Sequence, residues 1–237
     1  MLPTTQAASW SKVDTNPLLI AEPAERISSE IRERFDALYH TASGDSSCVP
    51  WHRPGCHASL LEWLNSDAHH LVRPGARAVV VGCGLGDDVA ELADRGYDAM
   101  GFDIAPLGVD WARRRFPDHA DRFIVADLLN TPPRLRARFD LVTEAFTIQS
   151  MTPDLRPRAV EGLCALARPH GVVFVIARAC DDPAEVLQCE CAPYPLCPRE
   201  LTDLMSRHAF APLADIVEFN DPDNPTDRCL RGVFRRS

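Results

Sequence analysis

The chain has 237 residues, of which 46% are hydrophobic, and a formal net charge of −9. Its length and composition predict one large α/β domain that can bury a sizeable core. The acidic balance argues against a nucleic-acid backbone as the main partner.

Membrane insertion and secretion are not expected from the sequence. No stretch approaches the roughly 20 apolar residues of a membrane span. Residues 1–10 carry neither a basic start nor an apolar block, so we predict no secretory signal and a cytoplasmic location.

The nine cysteines are scattered along the chain. An odd number without regular spacing predicts free thiols rather than a disulfide framework. Cys189, Cys191 and Cys197 are close enough in sequence to suggest zinc, but they lack C-x-x-C spacing and a nearby fourth ligand. We therefore predict no metal site.

The N-terminal third is predicted to be an arm followed by two helices and a loop. Residues 1–22 are polar and rich in proline. Residues 24–39 place apolar side chains at helical spacing and predict an amphipathic helix that covers the sheet. Residues 43–57 are rich in Gly, Pro and Ser, and a loop of this length is either functional or disordered. A second helix is predicted over residues 55–65.

A glycine-rich turn follows the first buried strand. The strand is residues 78–81, and the turn carries Gly82, Gly84 and Gly86 before a helix over residues 87–95. This order is typical of the first half of a nucleotide-binding βαβ unit. Glycines allow positive φ and close approach of a ligand to the backbone, and free N–H groups at the helix start face that ligand.

Strands and helices then alternate, which predicts right-handed crossovers and a parallel sheet. The second, third and fourth strands are predicted over residues 97–104, 122–126 and 139–143, and they lead to Asp103, Asp127 and Glu144. The carboxyl ends of parallel strands line the ligand crevice, where an acidic residue after the second strand accepts hydrogen bonds from ribose hydroxyls.

The carboxyl-terminal part is predicted to complete the sheet. Residues 172–177 form a buried fifth strand, and 178–198 are irregular and proline-rich. A helix over 198–207 precedes two closing strands, predicted over 210–219 and 228–234.

The spacing of the glycines distinguishes between ligands. Dinucleotide sites use G-x-G-x-x-G, whereas here the third glycine comes one residue early. Asp87 and Asp88 follow directly, and their charges would repel a pyrophosphate but suit an amino group. S-adenosylmethionine (SAM) carries adenine, ribose and an amino group and has no phosphate, so an NAD-dependent dehydrogenase is disfavoured.

With this set of features, the sequence resembles the class I SAM-dependent methyltransferases over roughly residues 76 to 180. The resemblance implies a three-layer, Rossmann-like α/β fold. Its seven-stranded sheet would be mostly parallel with an antiparallel last strand, under an N-terminal helical lid. Residues 1–66 would form the arm and lid, and 67–237 the SAM-binding core of one folded domain.

A narrower resemblance concerns Pro50-Trp51 followed by Glu62-Trp63-Leu64. This pattern resembles the thiopurine and thiol methyltransferase branch. By residue type alone, Trp51 is either a hydrophobic plug or packs over the sulfonium or adenine of SAM, where a cation over an aromatic ring gains about 0.5–2 kcal/mol. The resemblance implies the second of these.

The predicted SAM-binding residues come from the glycine turn, the strand ends and the tryptophan. Asp103 would bind the ribose, and Asp127 and Leu128 the adenine. The full set is Trp51, Gly82, Cys83, Gly84, Gly86, Asp87, Asp103, Ile104, Asp127, Leu128, Glu144 and Ala145.

The predicted chemistry is an in-line displacement on the methyl carbon, for which the protein aligns and desolvates the reactants. Thr147, Gln149, Arg178 and His52 are the candidate catalytic residues. Arg178 either clamps a carboxylate or thiolate, or forms an ion pair with Asp181 or Asp182. His52 and His57 are either bases or ordinary loop histidines.

The resulting functional prediction is methyl transfer to a small molecule, with S-adenosylhomocysteine (SAH) as the other product. The acceptor atom is a thiol sulfur or a heterocycle nitrogen. O-methylation and a non-catalytic SAM- or nucleotide-binding module stay open as alternatives. We expect a monomer or weak homodimer without nucleic-acid or membrane partners.

Overall fold

A computed structural model describes residues 23–186, 189 and 191–236. The predicted arm at residues 1–22 lies outside the described residues. Among the described helices, none has both the length and the apolar character needed to cross a membrane.

One mixed sheet forms the centre of the fold. Its strands are β1 (Arg77–Val81), β2 (Asp98–Asp103), β3 (Phe123–Val125), β4 (Phe139–Ala145), β5 (Ala167–Arg178), β6 (Phe210–Pro212), β7 (Val217–Asn220) and β8 (Arg228–Arg236). The strand order is β3-β2-β1-β4-β5-β8-β6, and β7 also pairs with β8. Strands β1 to β5 pair in parallel, whereas β8 is antiparallel to β5, β6 and β7. The predicted fold class is confirmed.

The strand count differs from the prediction at the sheet edge. The single strand predicted over 210–219 is interrupted, and its two halves, β6 and β7, both pair with β8. Pro212 pairs with Phe234 and Val217 with Arg231, so the four residues 213–216 on the edge side lie opposite only two residues, 232 and 233, on β8. The extra residues loop out of the ladder, as in a bulged edge strand. The sheet therefore has eight strands rather than seven.

Helices cover both faces of the sheet. They are α1 (Pro23–Ala42), α2 (Ala58–Ser66), α3 (Ala68–Leu71), α4 (Asp87–Asp94), α5 (Pro106–Arg115), α6 (Arg156–Leu166), α7 (Pro183–Val186) and α8 (Pro198–Ser206). Side chains of α6 and α8 share one core cluster with Val79 and Val81. Side chains of α2, α4 and α5 share a second cluster with Ala78 and Val80. Strand β1 is thus buried on both faces, as its continuous apolar run predicts.

Helix α1 lies across the carboxyl ends of the strands and is fastened there by three hydrogen bonds. Ser28 Oγ donates to Asp127 Oδ2 at 2.5 Å, after β3. Arg34 Nη2 donates to the carbonyl of Ser150 at 3.0 Å, after β4. Asp36 Oδ1 accepts from the backbone N–H of Leu107 at 3.0 Å, in α5. The predicted covering helix therefore closes the crevice from above.

Candidate active site

A cavity of about 570 Å³ lies between α1 and the carboxyl ends of the strands. Nearly all of the predicted site residues line it. They are Trp51, His52, Gly82, Cys83, Gly84, Asp87, Asp103, Ile104, Asp127, Leu128, Ala145, Thr147, Gln149 and Arg178. Gly86 and Glu144 do not line it, and both have a structural reason for lying elsewhere.

The glycine turn places backbone where a side chain would not fit. Gly82 has φ +62°, and a Cβ there would collide with Oγ1 of Thr147 and lie 3.0 Å from its Cγ2. Gly86 has φ +95°, and its added Cβ would lie 2.9 Å from the ring of Phe123. Gly86 therefore allows α4 to pack against β3 and does not face the cavity. Its predicted role as a cofactor ligand has no support in this geometry.

Asp103, at the end of β2, is buried with 8% of its surface exposed. Its Oδ2 accepts a hydrogen bond from the N–H of Gly84 at 3.1 Å, and its Oδ1 accepts from the N–H of Ala105 at 2.9 Å. Burial raises the pKa of this carboxyl, and the backbone N–H groups oppose that shift. The carboxylate is thus held in place at the ligand edge of the sheet.

Asp127 and Asp87 also line the cavity, but their carboxylates already have protein partners. Asp127 accepts from Ser28 and, at 2.8 Å, from the N–H of Leu129. Asp87 forms a two-point ion pair with Arg115, with one N–O distance of 2.9 Å. A cofactor amino group near Asp87 would therefore have to share this carboxylate with Arg115.

Glu144 supports the loop after β4 from below. It is fully buried, and its Oε1 accepts hydrogen bonds from the N–H groups of Thr147 and, at 2.9 Å, Ile148. Its Oε2 is buried without a hydrogen-bond partner in the described part of the chain. Burial raises the pKa of Glu144 to about 7, although the two N–H groups lower it. The structure therefore indicates a loop-supporting carboxyl where the sequence predicted a cofactor ligand.

The loop after β4 turns sharply at Phe146, which has φ +64°. A bulky residue in this region of φ is unusual and is often found at functional sites. Thr147 Oγ1 donates to the carbonyl of Val81 at 3.2 Å, and Gln149 Oε1 accepts from the backbone N–H of Arg178 at 2.6 Å. Phe146 was not predicted, because no sequence pattern signals its backbone conformation.

The two arginines beside this loop are paired with carboxylates. The guanidinium of Arg178 bonds to Asp227. Asp181, one of the two expected ion-pair partners of Arg178, instead pairs with Arg228 at 2.8 Å. Arg53, which was also not predicted, binds Asp221 through two nitrogens at 2.8 and 2.6 Å and Asp223 at 2.7 Å.

Aromatic rings close the opposite side of the cavity. The ring of Trp51 lies 5.4 Å from that of Phe35 and 5.5 Å from that of Tyr39, both edge-on. Phe35 belongs to the predicted apolar stripe of α1. Tyr39 follows one turn later and is buried, and this periodicity is the signal that could have identified it.

The histidines of the loop before α2 differ in their surroundings. His52 lines the cavity, and its backbone N–H donates to the carbonyl of Val49 at 2.9 Å. His57 caps α2, since its Nδ1 accepts from the N–H of Ser59 at 3.1 Å. Asp88 Oδ1 in turn accepts from the N–H of His57 at 3.0 Å.

Comparison with known proteins identifies the central part of the chain. Residues 78–171, which run from β1 into the first part of β5, match a family described as a methyltransferase domain. These 94 residues (78 to 171) are similar to a methyltransferase domain and make up less than half of the chain. The predicted resemblance to methyltransferases is thereby confirmed over this range.

Two relatives match parts of the chain. A demethylmenaquinone methyltransferase of Beutenbergia cavernae is 34% identical over 106 residues, which are 44% of this chain and 41% of that protein. A probable thiol methyltransferase 2 of Arabidopsis thaliana is 26% identical over 157 residues, 61% of this chain and 68% of that protein. The chain thus spans less than half of the first relative.

A solved structure has the same fold as the whole described chain. It is the Burkholderia thailandensis 1,6-didemethyltoxoflavin-N1-methyltransferase with bound 1,6-didemethyltoxoflavin and SAH. The TM-score is 0.67 at 20% identity, and the match covers 92% of each chain. At this identity the likeness concerns the fold alone.

Proposed function

We propose that this protein transfers a methyl group from SAM to a small-molecule acceptor, either a thiol sulfur or a heterocycle nitrogen, and releases SAH. The observation that carries the proposal is the buried carboxylate of Asp103, which lines the cavity and accepts a hydrogen bond from the N–H of Gly84. This is where an open α/β sheet binds the ribose of a nucleoside.

SAM would extend along the carboxyl ends of β2, β1 and β4. Its ribose would lie at Asp103 and its adenine between Ile104 and Leu128, both of which line the cavity. The methionine part would follow the backbone of Gly82, and Trp51 would cover it. SAM supplies an electrophilic methyl group, and the protein's residues contribute alignment and exclusion of water.

Two names among the similar proteins support the class of acceptor. One relative is a probable thiol methyltransferase and one structural neighbour is an N1-methyltransferase of a heterocycle. The cavity lining agrees with a small aromatic acceptor, since it includes the apolar side chains of Phe146 and Pro193 as well as the polar side chains of Gln149 and Arg178. We further propose a monomer or weak homodimer that acts in the cytoplasm on free small molecules.

Calorimetry with SAM, SAH and NAD, followed by a turnover screen of thiols, N-heterocycles and phenols, tests the proposal. We expect SAM and SAH to bind, NAD not to bind, and SAH to accumulate with a thiol or N-heterocycle. Binding of SAM without turnover of any acceptor would favour a non-catalytic module. Turnover of phenols alone would favour the O-methyltransferase alternative, and tight NAD binding would refute the cofactor.

A further inference from the structure

The turn after β4 is held in a conformation that a bulky residue rarely adopts. Phe146 has φ +64°, and a left-handed backbone at a residue other than glycine costs about 1–3 kcal/mol, so the surrounding structure must hold it. From below, Oε1 of Glu144 accepts the N–H groups of Thr147 and Ile148. The N–H of Phe146 donates to the carbonyl of Ile176 at 2.9 Å. These contacts fix the backbone of the turn, and the ring of Phe146 is held from elsewhere.

Two side chains from the loop before α2 lie against this ring. The guanidinium carbon of Arg53 lies 5.0 Å from the centroid of the Phe146 ring, and the ring centroid of His57 lies 5.3 Å from it. A cation over an aromatic face at such a distance is attracted by about 0.5–2 kcal/mol. The ring of Phe146 is thus in contact with a cation and with a second ring, both of which come from outside its own loop.

Arg53 is itself oriented by two carboxylates. Its Nη1 and Nη2 donate to the two oxygens of Asp221 at 2.8 and 2.6 Å, and Nη1 also donates to Asp223 at 2.7 Å. Asp221 is 3% exposed, and its hydrogen bonds with Arg53 lower its pKa to about 2, so the pair is ionised at neutral pH. A guanidinium bound at two points has a fixed plane, which a lysine could not reproduce. The connection between β7 and β8 therefore determines where this cation lies.

The turn that carries Phe146 also contacts the proposed donor site. Thr147 Oγ1 donates to the carbonyl of Val81 at 3.2 Å, and a Cβ at Gly82 would collide with the same side chain. A shift of the turn by about 1 Å would therefore move the wall against which the methyl donor lies. A misplacement of this size can reduce the rate of a reaction about a hundredfold.

We propose that Arg53 is a positioning residue for methyl transfer. Asp221 and Asp223 orient its guanidinium, which holds the ring of Phe146 and, through it, the left-handed turn that places Thr147 beside the glycine turn. The inference rests on the proposed function and adds to it a residue that acts through Phe146 rather than on the reactants. Because the two carboxylates balance its charge, Arg53 contributes orientation rather than attraction of an anion.

Kinetics of Arg53→Met measure the effect on methyl transfer. Methionine keeps a long, unbranched side chain but has neither the charge nor the donors. At saturating SAM and thiophenol, we expect kcat to fall about tenfold or more, while the dissociation constant of SAM stays within about twofold. Arg53→Lys keeps the cation without the fork and should recover part of kcat. Unchanged kcat in Arg53→Met would overturn the inference.

Arg95→Met is the matched control. Arg95 is also an arginine in an ion pair, with Glu91 at 2.5 Å, and it lies in the segment after α4 rather than in the lining of the cavity. The control should leave both kcat and the dissociation constant of SAM unchanged. An equal loss of kcat in Arg95→Met would show a general loss of structure and overturn the specific role of Arg53.

A double-mutant cycle tests whether Arg53 acts through the ring. Phe146→Gly removes the ring, and glycine adopts the left-handed backbone without strain. We expect Arg53→Met to lower kcat by less than about twofold when it is added to Phe146→Gly, because the contact it removes is already absent. A full further loss, multiplied onto that of Phe146→Gly, would show that Arg53 acts on the reactants directly and would overturn the positioning role.

Hydrogen exchange tests the positioning without turnover. The N–H groups of Thr147 and Ile148 are bonded to Glu144, so their exchange reports opening of the turn. Without ligand, we expect exchange there to be about fivefold faster or more in Arg53→Met, and faster to a smaller extent in Asp221→Asn. Exchange equal to that of the parent in Arg53→Met would overturn the inference. Absence of SAM binding to the parent would instead refute the proposed function, and the exchange would still decide whether Arg53 holds the turn.

Discussion

The Sγ atoms of Cys180 and Cys197 lie 2.8 Å apart in the buried region between the end of β5 and the start of α8. The segments that carry them are joined through Leu196, whose carbonyl accepts from the N–H of Cys180 at 3.1 Å and whose N–H donates to the carbonyl of Arg178 at 2.8 Å. The sequence predicted free thiols throughout, and the structure places this pair where a disulfide requires little backbone movement.

We therefore expect a mild thiol oxidant such as diamide to join Cys180 to Cys197 before other pairs, taking up the two protons and two electrons that the thiols lose. Peptide mapping after alkylation under denaturing conditions measures this, and Cys180→Ser should abolish the linked peptide. A dominant link between Cys189 and Cys191 would contradict the prediction. The predicted absence of zinc is checked in the same samples by elemental analysis.

Asp103→Ala is expected to weaken SAM binding by about 1–3 kcal/mol, the range for a hydrogen bond to a charged group. The physical reason is the loss of the carboxylate that the N–H groups of Gly84 and Ala105 hold at the ribose position. Calorimetry on the folded variant measures the change. Asp98→Ala, at the exposed start of β2, is the control and should bind SAM normally. Unchanged affinity in Asp103→Ala would remove the main support for the cofactor site.

Gly82→Ala should destabilise the fold by about 1–3 kcal/mol more than Gly75→Ala. Both glycines have positive φ, at +62° and +84°, so backbone strain affects both variants. Only the Cβ at position 82 meets Thr147, whereas nothing lies within 4 Å at position 75. Chemical denaturation measures the difference. Adding Thr147→Ala should recover part of the loss, and purely additive effects would show that the two side chains do not collide.

Glu144 predicts a specific pH dependence of stability. Its pKa is raised to about 7 in the folded chain from an ordinary value of 4.5, so the folded state binds the extra proton between these values. Stability from this group is present below about pH 4.5 and is lost as pH rises through 7. Glu144→Gln should therefore gain roughly 2–4 kcal/mol relative to the parent between pH 5 and pH 8. A difference that stays constant with pH would show that Glu144 does not titrate in this range.

Trp51→Ala should reduce turnover more than it reduces the free energy of unfolding. Its ring packs edge-on against Phe35 and Tyr39 of α1, so removing it opens the cover of the cavity rather than the central core. We expect SAH to protect residues 40–57 from hydrogen exchange in the parent and less so in the variant. Trp51→Phe keeps an aromatic ring and serves as the matched variant. Exchange that is indifferent to SAH would contradict a lid function for this segment.

The fold class, and the edge of the sheet where ligands are expected, were predictable from local sequence patterns. Strand periodicity and turn geometry are local properties of the chain. Buried strands therefore appear in the sequence as continuous apolar runs, and Gly82, Gly84 and Asp103 occur at fixed positions relative to them. This is why most of the predicted residues line one cavity. The same local reasoning assigned Gly86 and Glu144 to the correct elements. It did not predict that both contact other parts of the protein rather than the cavity.

How the loops meet above the sheet depends on contacts between segments that are far apart in the chain. Arg53 and Asp221 are separated by 168 positions in the chain, and no spacing rule pairs them. The interruption between β6 and β7, the left-handed backbone of Phe146 and the partner of Arg178 likewise depend on contacts between distant segments. The atoms of His57 and Gln149 that accept hydrogen bonds are determined by which backbone N–H reaches each side chain, and that is a property of packing, whereas residue type determines only which groups can donate or accept.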